Sequence, residues 1–330
     1  MRIGYTLMTE QAGPKALVRY AAAAERAGFS FEVSSDHYSP WLDEQGHAPY
    51  AWSVLGAVTQ CTERVELMTY VTCPTMRYNP VVVAQKAATM QLLSDNRFTL
   101  GLGSGENLNE HVIGKGWPPA NARHEMLTEA IDIISGLFDG GYFNYSGRYF
   151  QVDSAKLWDL PAVRTPIGVA VSGKQSVEKF ALTADVMIAV EPDADLCSQW
   201  DAQWRGTGEK GSRKVGQLPV CWDTDRDAAV KRAHEQFRWF GGGWKVNAEL
   251  PGTAGFAGAT QFVTEGDVAQ GIPCGPDVEP IVESVRKFAD AGFTDLALVQ
   301  VGGDHQDGFL EFAQSDLLPA LSEAFPEGAR

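Results

Sequence analysis

The sequence predicts a (β/α)₈ barrel, or TIM barrel, with an insertion between its seventh and eighth strands. Short apolar runs alternate with amphipathic helical stretches along nearly the whole chain, eight such runs can be counted, and one long segment departs from the alternation. Alternation of this kind is typical of parallel βαβ units, and eight units close a barrel more readily than they extend an open sheet. Because such barrels exceed the usual domain length, we expect residues 1–330 to form a single domain.

The eight predicted strands are short and β-branched, and several are apolar on both faces, as expected of parallel strands covered on both sides. They are Arg2–Leu7, Phe29–Ser34, Val65–Val71, Arg97–Leu102, Ile167–Val171, Val186–Val190, Leu218–Trp222 and Leu296–Val301. Between them, apolar residues at helical spacing predict helices. The clearest are Lys15–Ala27, Ala51–Thr59, Pro80–Leu93 and Arg123–Phe138.

The segment from Gly241 to Pro276 breaks this rhythm. It is rich in glycine and lacks clear periodicity. A long irregular insert in a compact domain is commonly functional. We therefore expect an irregular insertion that covers the site of a barrel.

Composition excludes several classes of function. The formal net charge of −15 argues against nucleic acid or an anionic membrane as the main partner, since both require clustered Lys and Arg. The five cysteines are widely spaced and include no C-x-x-C pair, which predicts reduced thiols in a reducing compartment. No signal peptide precedes the first strand, so the expectation is a cytoplasmic protein that acts on a small molecule.

In (β/α)₈ enzymes the catalytic groups lie at the C-terminal ends of the strands, and this rule selects candidates. Asp36, His37 and Trp41 directly follow the second strand. The imidazole titrates near neutrality and suits a general base that removes a hydroxyl proton, with the carboxylate to orient it. On the residues alone, a helix-capping Asp36 beside an ordinary loop histidine is equally consistent.

Two further clusters follow the third and fourth strands. Residues 68–75 could line a ring-shaped ligand or simply pack in the core. In residues 101–111, the glycines of Gly103-Ser104-Gly105 would let a ligand approach the backbone, although their spacing is not a dinucleotide fingerprint. Glu106 is the better acid–base candidate, because Glu110 is expected to face solvent on the following helix.

A weaker feature follows the fifth strand, where Ser172 and Gly173 precede Lys174. Backbone N–H groups at a helix start can hold a phosphate. An ordinary helix N-terminus explains the same residues equally simply. The remaining histidines show no ligand spacing, so no metal site is predicted.

These clusters, in this order, resemble the coenzyme F420-dependent glucose-6-phosphate dehydrogenases and their relatives in the luciferase-like superfamily. The resemblance runs along essentially the whole chain. Its motifs are specific for the deazaflavin branch of the superfamily. They are residues 35–41, 47–50, 77–80, 84–90 and 103–110, with 309–317 near the C-terminus.

The resemblance implies the catalytic roles. His37 resembles the base that takes the substrate's hydroxyl proton as hydride leaves carbon, and Glu106 resembles the acid that protonates the reduced ring system. Trp41 resembles the residue that stabilises the reacting arrangement beside the ring. A homodimer is expected.

The resemblance also implies the coenzyme contacts, with Ser104 and Gly105 of the glycine turn as further candidates. Asp36 and Asn109 match coenzyme-contacting positions. Tyr70-Val71 matches a non-prolyl cis peptide behind the deazaflavin. Ser172 and Gly173 match positions that hold the coenzyme phosphate. Because the coenzyme tail is polyanionic and this chain is acidic, Lys174 or Arg77 would have to offset the overall field.

The chain departs from the sugar-phosphate enzymes where those place basic residues. The corresponding positions read Val190-Glu191-Pro192-Asp193, Pro219 and Gln270-Gly271. A phosphate dianion beside Glu191 and Asp193 would be repelled. The sequence therefore predicts F420-dependent hydride transfer with a non-phosphorylated alcohol, sugar or ketone.

Three alternative functions are consistent with the sequence. One is a reductase of activated alkenes or nitroaromatics, in which His37 would not need to act as a base. Another is an FMN-dependent monooxygenase. The third, a non-catalytic deazaflavin-binding protein, is disfavoured because a binder has no use for a paired base and acid.

Overall fold

The computed structural model describes residues 1–205 and 212–326. Eight parallel strands close into a barrel, which confirms the predicted (β/α)₈ fold. Two additional strands form a separate antiparallel hairpin. The strands are β1 (Arg2–Leu7), β2 (Phe31–Ser34), β3 (Glu66–Thr69), β4 (Phe98–Leu102), the hairpin strands β5 (Phe143–Ser146) and β6 (Gln151–Ala155), β7 (Ile167–Ala170), β8 (Val186–Ile188), β9 (Arg213–Val220) and β10 (Asp295–Gln300).

The α-helices flank the barrel and connect its strands. They are α1 (Pro14–Ala27), α2 (Ala51–Val58), α3 (Pro80–Leu93), α4 (Asn107–Glu110), α5 (Ala120–Phe138), α6 (Lys174–Phe180), α7 (Ala194–Gln203), α8 (Arg226–Phe237), α9 (Trp244–Asn247), α10 (Thr253–Ala259), α11 (Glu265–Gly271), α12 (Glu279–Ala291), α13 (Gln306–Phe312) and α14 (Leu318–Ala324). In the described residues, no helix combines the length and apolarity needed to cross a membrane.

The barrel core explains why the strand predictions succeeded. Side chains such as Phe31, Val33, Met68, Ile188 and Val215 are buried in one interior cluster. A second and larger cluster joins the strands to the surrounding helices. Barrel strands are thus apolar toward both the lumen and the helices, which is the composition the sequence displayed.

Two details of the strand prediction were wrong. The seventh barrel strand, β9, begins at Arg213 and not at Leu218, because Lys214 is buried in a strand position and its ammonium pairs with Asp201 at 2.7 Å. The β5–β6 hairpin was not predicted. It alternates polar and apolar residues over only four or five positions and is largely exposed, so it shows no apolar run.

The predicted insertion between the seventh and eighth barrel strands is present, but the expectation that it is irregular was wrong. It contains α9, α10 and α11. Glycines at positive φ provide the first two N-caps, and Thr264 and Asp267 form a capping box on the third. Phe256 of α10 and Val268 of α11 pack these two helices into the apolar cluster at the barrel mouth. Short helices with many glycines lack the periodicity by which longer helices are detected in sequence.

Candidate active site

Three titratable side chains meet at the C-terminal end of the barrel. His37 follows β2 and lies between two carboxylates, Glu10 after β1 and Glu106 after β4. The Nδ1 atom of His37 is 2.7 Å from Oε1 of Glu10, and its Nε2 atom is 3.4 Å from Oε2 of Glu106. His37 and Glu10 are buried, while the Glu106 side chain remains 14% exposed. The result is a carboxylate–imidazole–carboxylate row that is open on the Glu106 side.

Glu10 is the member of this row that sequence reasoning missed. Its Oε2 atom accepts hydrogen bonds from Ser35 Oγ at 2.5 Å and from Thr9 Oγ1 at 3.1 Å. Burial raises the pKa of Glu10, but the charge and hydrogen bonding of His37 and the bond from Ser35 outweigh it, so the net pKa is lowered. The signal was available, because a carboxylate shortly after the first strand lies at the same barrel end as the other candidates.

The two carboxylates change the protonation of His37. Burial is the largest influence and lowers the pKa of the imidazole. The charges of Glu10 and then Glu106, with the hydrogen bond to Glu10, outweigh it and raise this pKa to about 9. His37 therefore carries a proton on both ring nitrogens at neutral pH.

The side-chain amide of Asn109 positions Glu106 at the start of α4. Asn109 Nδ2 donates to Glu106 Oε2 at 3.0 Å, while Asn109 Oδ1 accepts from the backbone N–H groups of Tyr38 and Ser39 at 2.8 and 3.1 Å. Asn109 thus joins the loop that carries His37 to the helix that follows Glu106.

The insertion also holds α4. The backbone N–H of Asn107 donates to Ala248 O at 3.0 Å, and its side-chain Nδ2 donates to Glu249 O at 2.9 Å. The Glu249 carboxylate in turn accepts from Trp117 Nε1 at 2.9 Å and from Arg123 at 2.8 Å. The end of α9 is therefore fastened both to the segment carrying Glu106 and to α5.

Trp41 lies beside His37, with its ring centroid 5.1 Å from that of the imidazole in an edge-on arrangement. On another side it stacks on Trp239 at 4.2 Å with an interplanar angle of 8°, and Phe256 meets it edge-on at 5.1 Å. Both partners come from the segment between β9 and β10. This segment, which includes the insertion, therefore fixes the orientation of the indole next to the titratable row.

Asp36 is buried and receives hydrogen bonds from three side chains besides a contact with Arg77. Its donors are Thr72 Oγ1 at 2.7 Å, Trp52 Nε1 at 3.0 Å and Tyr78 OH at 3.0 Å. These contacts tie the ends of β2 and β3 to α2 and to the segment before α3. Asp36 does not cap a helix, so that alternative is removed. How Asp36 and Asn109 contact a coenzyme stays a prediction.

The expectation that Glu110 faces solvent was wrong. Its side chain is buried, and its carboxylate accepts from the backbone N–H of Arg77 at 2.8 Å and contacts Nε of Arg77 at 3.5 Å. Arg77 also contacts Asp36, with its NH2 atom 3.3 Å from Oδ1. This guanidinium is thus engaged by two carboxylates. Lys174, by contrast, is 71% exposed and lies 3.8 Å from Glu178.

A partly exposed apolar surface lies at the barrel mouth. A cis peptide bond joins Tyr70 and Val71, as the resemblance predicted. These two side chains and Ala170 pack against the barrel interior. A Cβ atom on Gly103 would lie 2.5 Å from Val71 Cγ2, so only glycine allows this approach of the β3 and β4 ends. Ser104 is half-buried, and Gly105 adopts φ +83°, where a side chain would be strained.

Ser172 and Gly173 follow β7 and precede α6. Ser172 is exposed, its backbone N–H donates to Ser176 Oγ at 3.2 Å, and no atom lies within 4 Å of the position a Gly173 Cβ would occupy. The site of a phosphate contact here stays a prediction. Across residues 1–205 and 212–326, no group of three or more His, Cys, Asp or Glu side chains is arranged to hold a metal.

The chain is similar to proteins of known function along most of its length. Residues 1–295 match the model of the family "Luciferase-like monooxygenase". The chain is 32% identical to the F420-dependent glucose-6-phosphate dehydrogenase of Amycolatopsis mediterranei, covering 97% of this chain and 98% of that protein. It is also 32% identical to the F420-dependent hydroxymycolic acid dehydrogenase of Mycobacterium tuberculosis, covering 97% and 88%.

Among solved structures, an F420-dependent secondary alcohol dehydrogenase in complex with an F420–acetone adduct superposes with a TM-score of 0.87 at 23% identity, covering 97% of this chain and 98% of that one. This likeness supports the fold. The family model matches residues 1–295, and the two relatives align with 97% of this chain. The protein therefore belongs to the luciferase-like family, and the curated relatives it matches are F420-dependent dehydrogenases.

Proposed function

We propose that the protein is an F420-dependent oxidoreductase that moves hydride between the deazaflavin and a non-phosphorylated alcohol, sugar or ketone, with His37 handling the substrate proton. The observation that carries this proposal is the row Glu10–His37–Glu106 at the barrel mouth. Oxidation of an alcohol requires a proton acceptor within hydrogen-bond reach of the hydroxyl. Reduction of a ketone requires the reverse transfer.

The residues at the barrel mouth suit a deazaflavin. A flat ring fits against an apolar surface, and Tyr70, Val71 and Ala170 provide one next to the titratable row. Gly103 keeps that surface free of a side chain. Tyr70 and Val71 would lie behind the ring, and Ser104, Gly105, Ser172 and Gly173 would contact the coenzyme. The bound coenzyme would supply the hydride acceptor or donor.

The protein's own groups divide the proton handling. Glu10 engages Nδ1 of His37, which leaves Nε2 as the atom that exchanges a proton with substrate. Trp41 limits the position of the imidazole through its edge contact. Glu106 lies 3.4 Å from Nε2 and is partly exposed, so it can exchange a proton on its other side with the coenzyme's ring system. In this proposal Nε2 of His37 exchanges the substrate proton and the adjacent Glu106 exchanges the coenzyme proton.

The raised pKa of His37 supports one direction in particular. An imidazole with a pKa of about 9 is mostly protonated at pH 7, and in that form it donates a proton. Ketone reduction at neutral pH therefore requires no prior change in the protonation of His37. Alcohol oxidation requires His37 to lose its proton first, so we expect it to be favoured at alkaline pH.

A non-phosphorylated substrate is supported by the charges at the end of β8. Glu191, Asp193 and Asp195 are all exposed on the loop after this strand and at the start of α7. Pro219 is buried within β9, where it offers no positive charge. A phosphate dianion at this acidic rim would be repelled. If a phosphorylated sugar is nevertheless accepted, the exposed Lys245 on the insertion is the cation that would contact its phosphate.

The coenzyme is tested by titration with oxidised F420 and, in parallel, with FMN and NADP. We expect F420 to bind far more tightly than either. Equal or tighter binding of FMN would contradict the assignment and favour a monooxygenase. Because His37 contacts the substrate, His37→Ala should leave F420 affinity nearly intact while lowering turnover about 10²–10⁴-fold.

The substrate is tested with a panel of primary alcohols, secondary alcohols, sugars and the matching ketones, read at the deazaflavin absorbance, with glucose 6-phosphate as comparison. Unphosphorylated compounds should react better. Efficient turnover of glucose 6-phosphate that is lost in Lys245→Ala would overturn the proposal and place the phosphate on the insertion.

We further propose a homodimer formed through α3. This helix is apolar on most of its surface, and Val82, Leu92 and Leu93 remain about half exposed. Apolar side chains grouped on one helix are typical of a face covered by another copy. Leu92→Glu should shift the sedimentation coefficient to that of a monomer. A wild-type chain that sediments as a monomer would contradict this proposal.

A further inference from the structure

Two cysteines face each other where the insertion rejoins the barrel. Cys221 directly follows β9, and Cys274 lies near the end of the insertion. They are partners in an isolated parallel β-bridge, in which Cys221 N donates to Pro273 O at 2.8 Å and Gly275 N donates to Cys221 O at 3.1 Å.

The bridge has dimensions that permit a disulfide. Paired residues on neighbouring strands project their side chains to the same face. Such strands lie about 4.8 Å apart. A disulfide requires a Cα–Cα separation of about 4.4–6.8 Å. Cys221 and Cys274 can therefore be linked with only a small movement of the backbone.

The two thiols differ in accessibility and acidity. Cys221 is fully buried, and its Sγ donates to Ala229 O at 3.1 Å, whereas Cys274 is partly exposed. Interaction with Cys221 lowers the pKa of the Cys274 thiol, burial opposes this, and the nearby Arg226 and Arg232 lower it further. The same interaction, with burial, raises the pKa of Cys221. The accessible thiol is thus the one that ionises more readily, and the buried one stands behind it.

We propose that Cys221 and Cys274 are an oxidisable dithiol that reacts with hydrogen peroxide and closes into a reversible disulfide, fastening the insertion to the barrel. The Cys274 thiolate attacks one peroxide oxygen, the O–O bond breaks, and hydroxide is released. The product is a sulfenic acid on Cys274. The Cys221 sulfur then attacks the Cys274 sulfur, forming the S–S bond as the S–O bond breaks. The departing hydroxyl takes up the Cys221 proton as water, so two thiols lose two electrons and peroxide becomes two molecules of water.

The position of the link gives it a structural consequence. Cys221 belongs to the apolar cluster that contains Trp41, Trp239 and Phe256, and Cys274 packs against that cluster. A covalent bond here closes a loop that includes α9, α10 and α11. We therefore expect the oxidised protein to resist proteolysis within residues 241–276 better than the reduced protein.

The experiment treats fully reduced protein with a slight excess of hydrogen peroxide, blocks the remaining thiols and maps the peptides by mass spectrometry. The expected main product is an intramolecular Cys221–Cys274 link that disappears with dithiothreitol. Proteolysis within the insertion should slow on oxidation and recover on reduction. Both measurements use the wild-type protein, so they do not depend on whether a variant folds.

Serine variants separate the two steps. Cys221→Ser should stop at a sulfenic acid on Cys274 that dimedone traps, and Cys274→Ser should form no link. Cys61→Ser is the matched control, since Cys61 is exposed in the turn after α2 and donates to the carbonyls of Val58 and Val18. This variant should form the link at the wild-type rate. Oxidation confined to Cys61, or only intermolecular disulfides, would overturn the proposal.

Discussion

The pH dependence of catalysis follows from the contact between His37 and Glu10, and Glu10→Gln is the change that tests it. The pKa of His37 rises from 6.5 to about 9, which corresponds to a net stabilisation of its charged form by roughly 3 kcal/mol. At pH 7 only about 1% of the imidazole is then neutral. Since kcat/KM reports the free enzyme, alcohol oxidation should rise about tenfold per pH unit above pH 7 and level off near pH 9. Ketone reduction should be constant below that pH and fall above it.

In Glu10→Gln the negative charge next to Nδ1 is lost. Burial then still lowers the pKa of His37, and the charge of Glu106 is the main influence that raises it. We expect the midpoint of both profiles to move about two pH units toward acid, because a carboxylate 2.7 Å away supplies most of the elevation. The assay is kcat/KM against pH in both directions. Glu44→Gln is the matched control. Glu44 pairs with Arg238 at the surface of the loop that also carries His37, so this substitution should leave the midpoint unchanged.

The same contact predicts how stability varies with pH. A group whose folded-state pKa is raised contributes stability below its unfolded value of 6.5, and loses it as pH rises through about 9. The wild-type free energy of unfolding should therefore decrease across this window by up to about 3 kcal/mol relative to Glu10→Gln. If Glu10→Gln keeps the wild-type midpoints and its free energy of unfolding varies with pH in parallel with that of the wild type, Glu10 does not control the protonation of His37.

Three further predictions concern the surroundings of the row. Glu106→Gln should slow turnover at least tenfold while leaving F420 affinity nearly unchanged, since its proton exchange is lost but its hydrogen bonding is retained; weakened binding with normal turnover would contradict this. Trp239→Ala should lower the free energy of unfolding by about 3 kcal/mol, read by denaturant titration, because it leaves a cavity in the aromatic stack beneath the insertion. Gly103→Ala should weaken F420 binding, because its Cβ would displace Val71; Gly56→Ala, where no atom lies within 4 Å, is the control that should bind normally.

The barrel fold, and the position of the site at the C-terminal ends of its strands, could be predicted from the sequence. Strand and helix patterns such as Arg2–Leu7 and Pro80–Leu93 are local, because burial on both faces imposes composition residue by residue. The motif around His37 and the glycine turn of Gly103 are also contiguous in sequence, and their resemblance to F420-dependent enzymes indicated the family.

Which charged side chains meet depends on the tertiary structure. Glu10 is far from Glu106 in sequence, and the two flank His37 because the strands before them are brought to one barrel end. Glu110 is buried because Arg77, 33 residues earlier, lies against it, and a helix pattern cannot reveal such a distant partner. Trp239 stacks on the indole of Trp41, nearly two hundred residues away, since the segment between β9 and β10 folds back over the mouth of the barrel. Protonation depends on distances and burial created by these long-range contacts, so the proton on His37 at neutral pH could be inferred only from the folded protein.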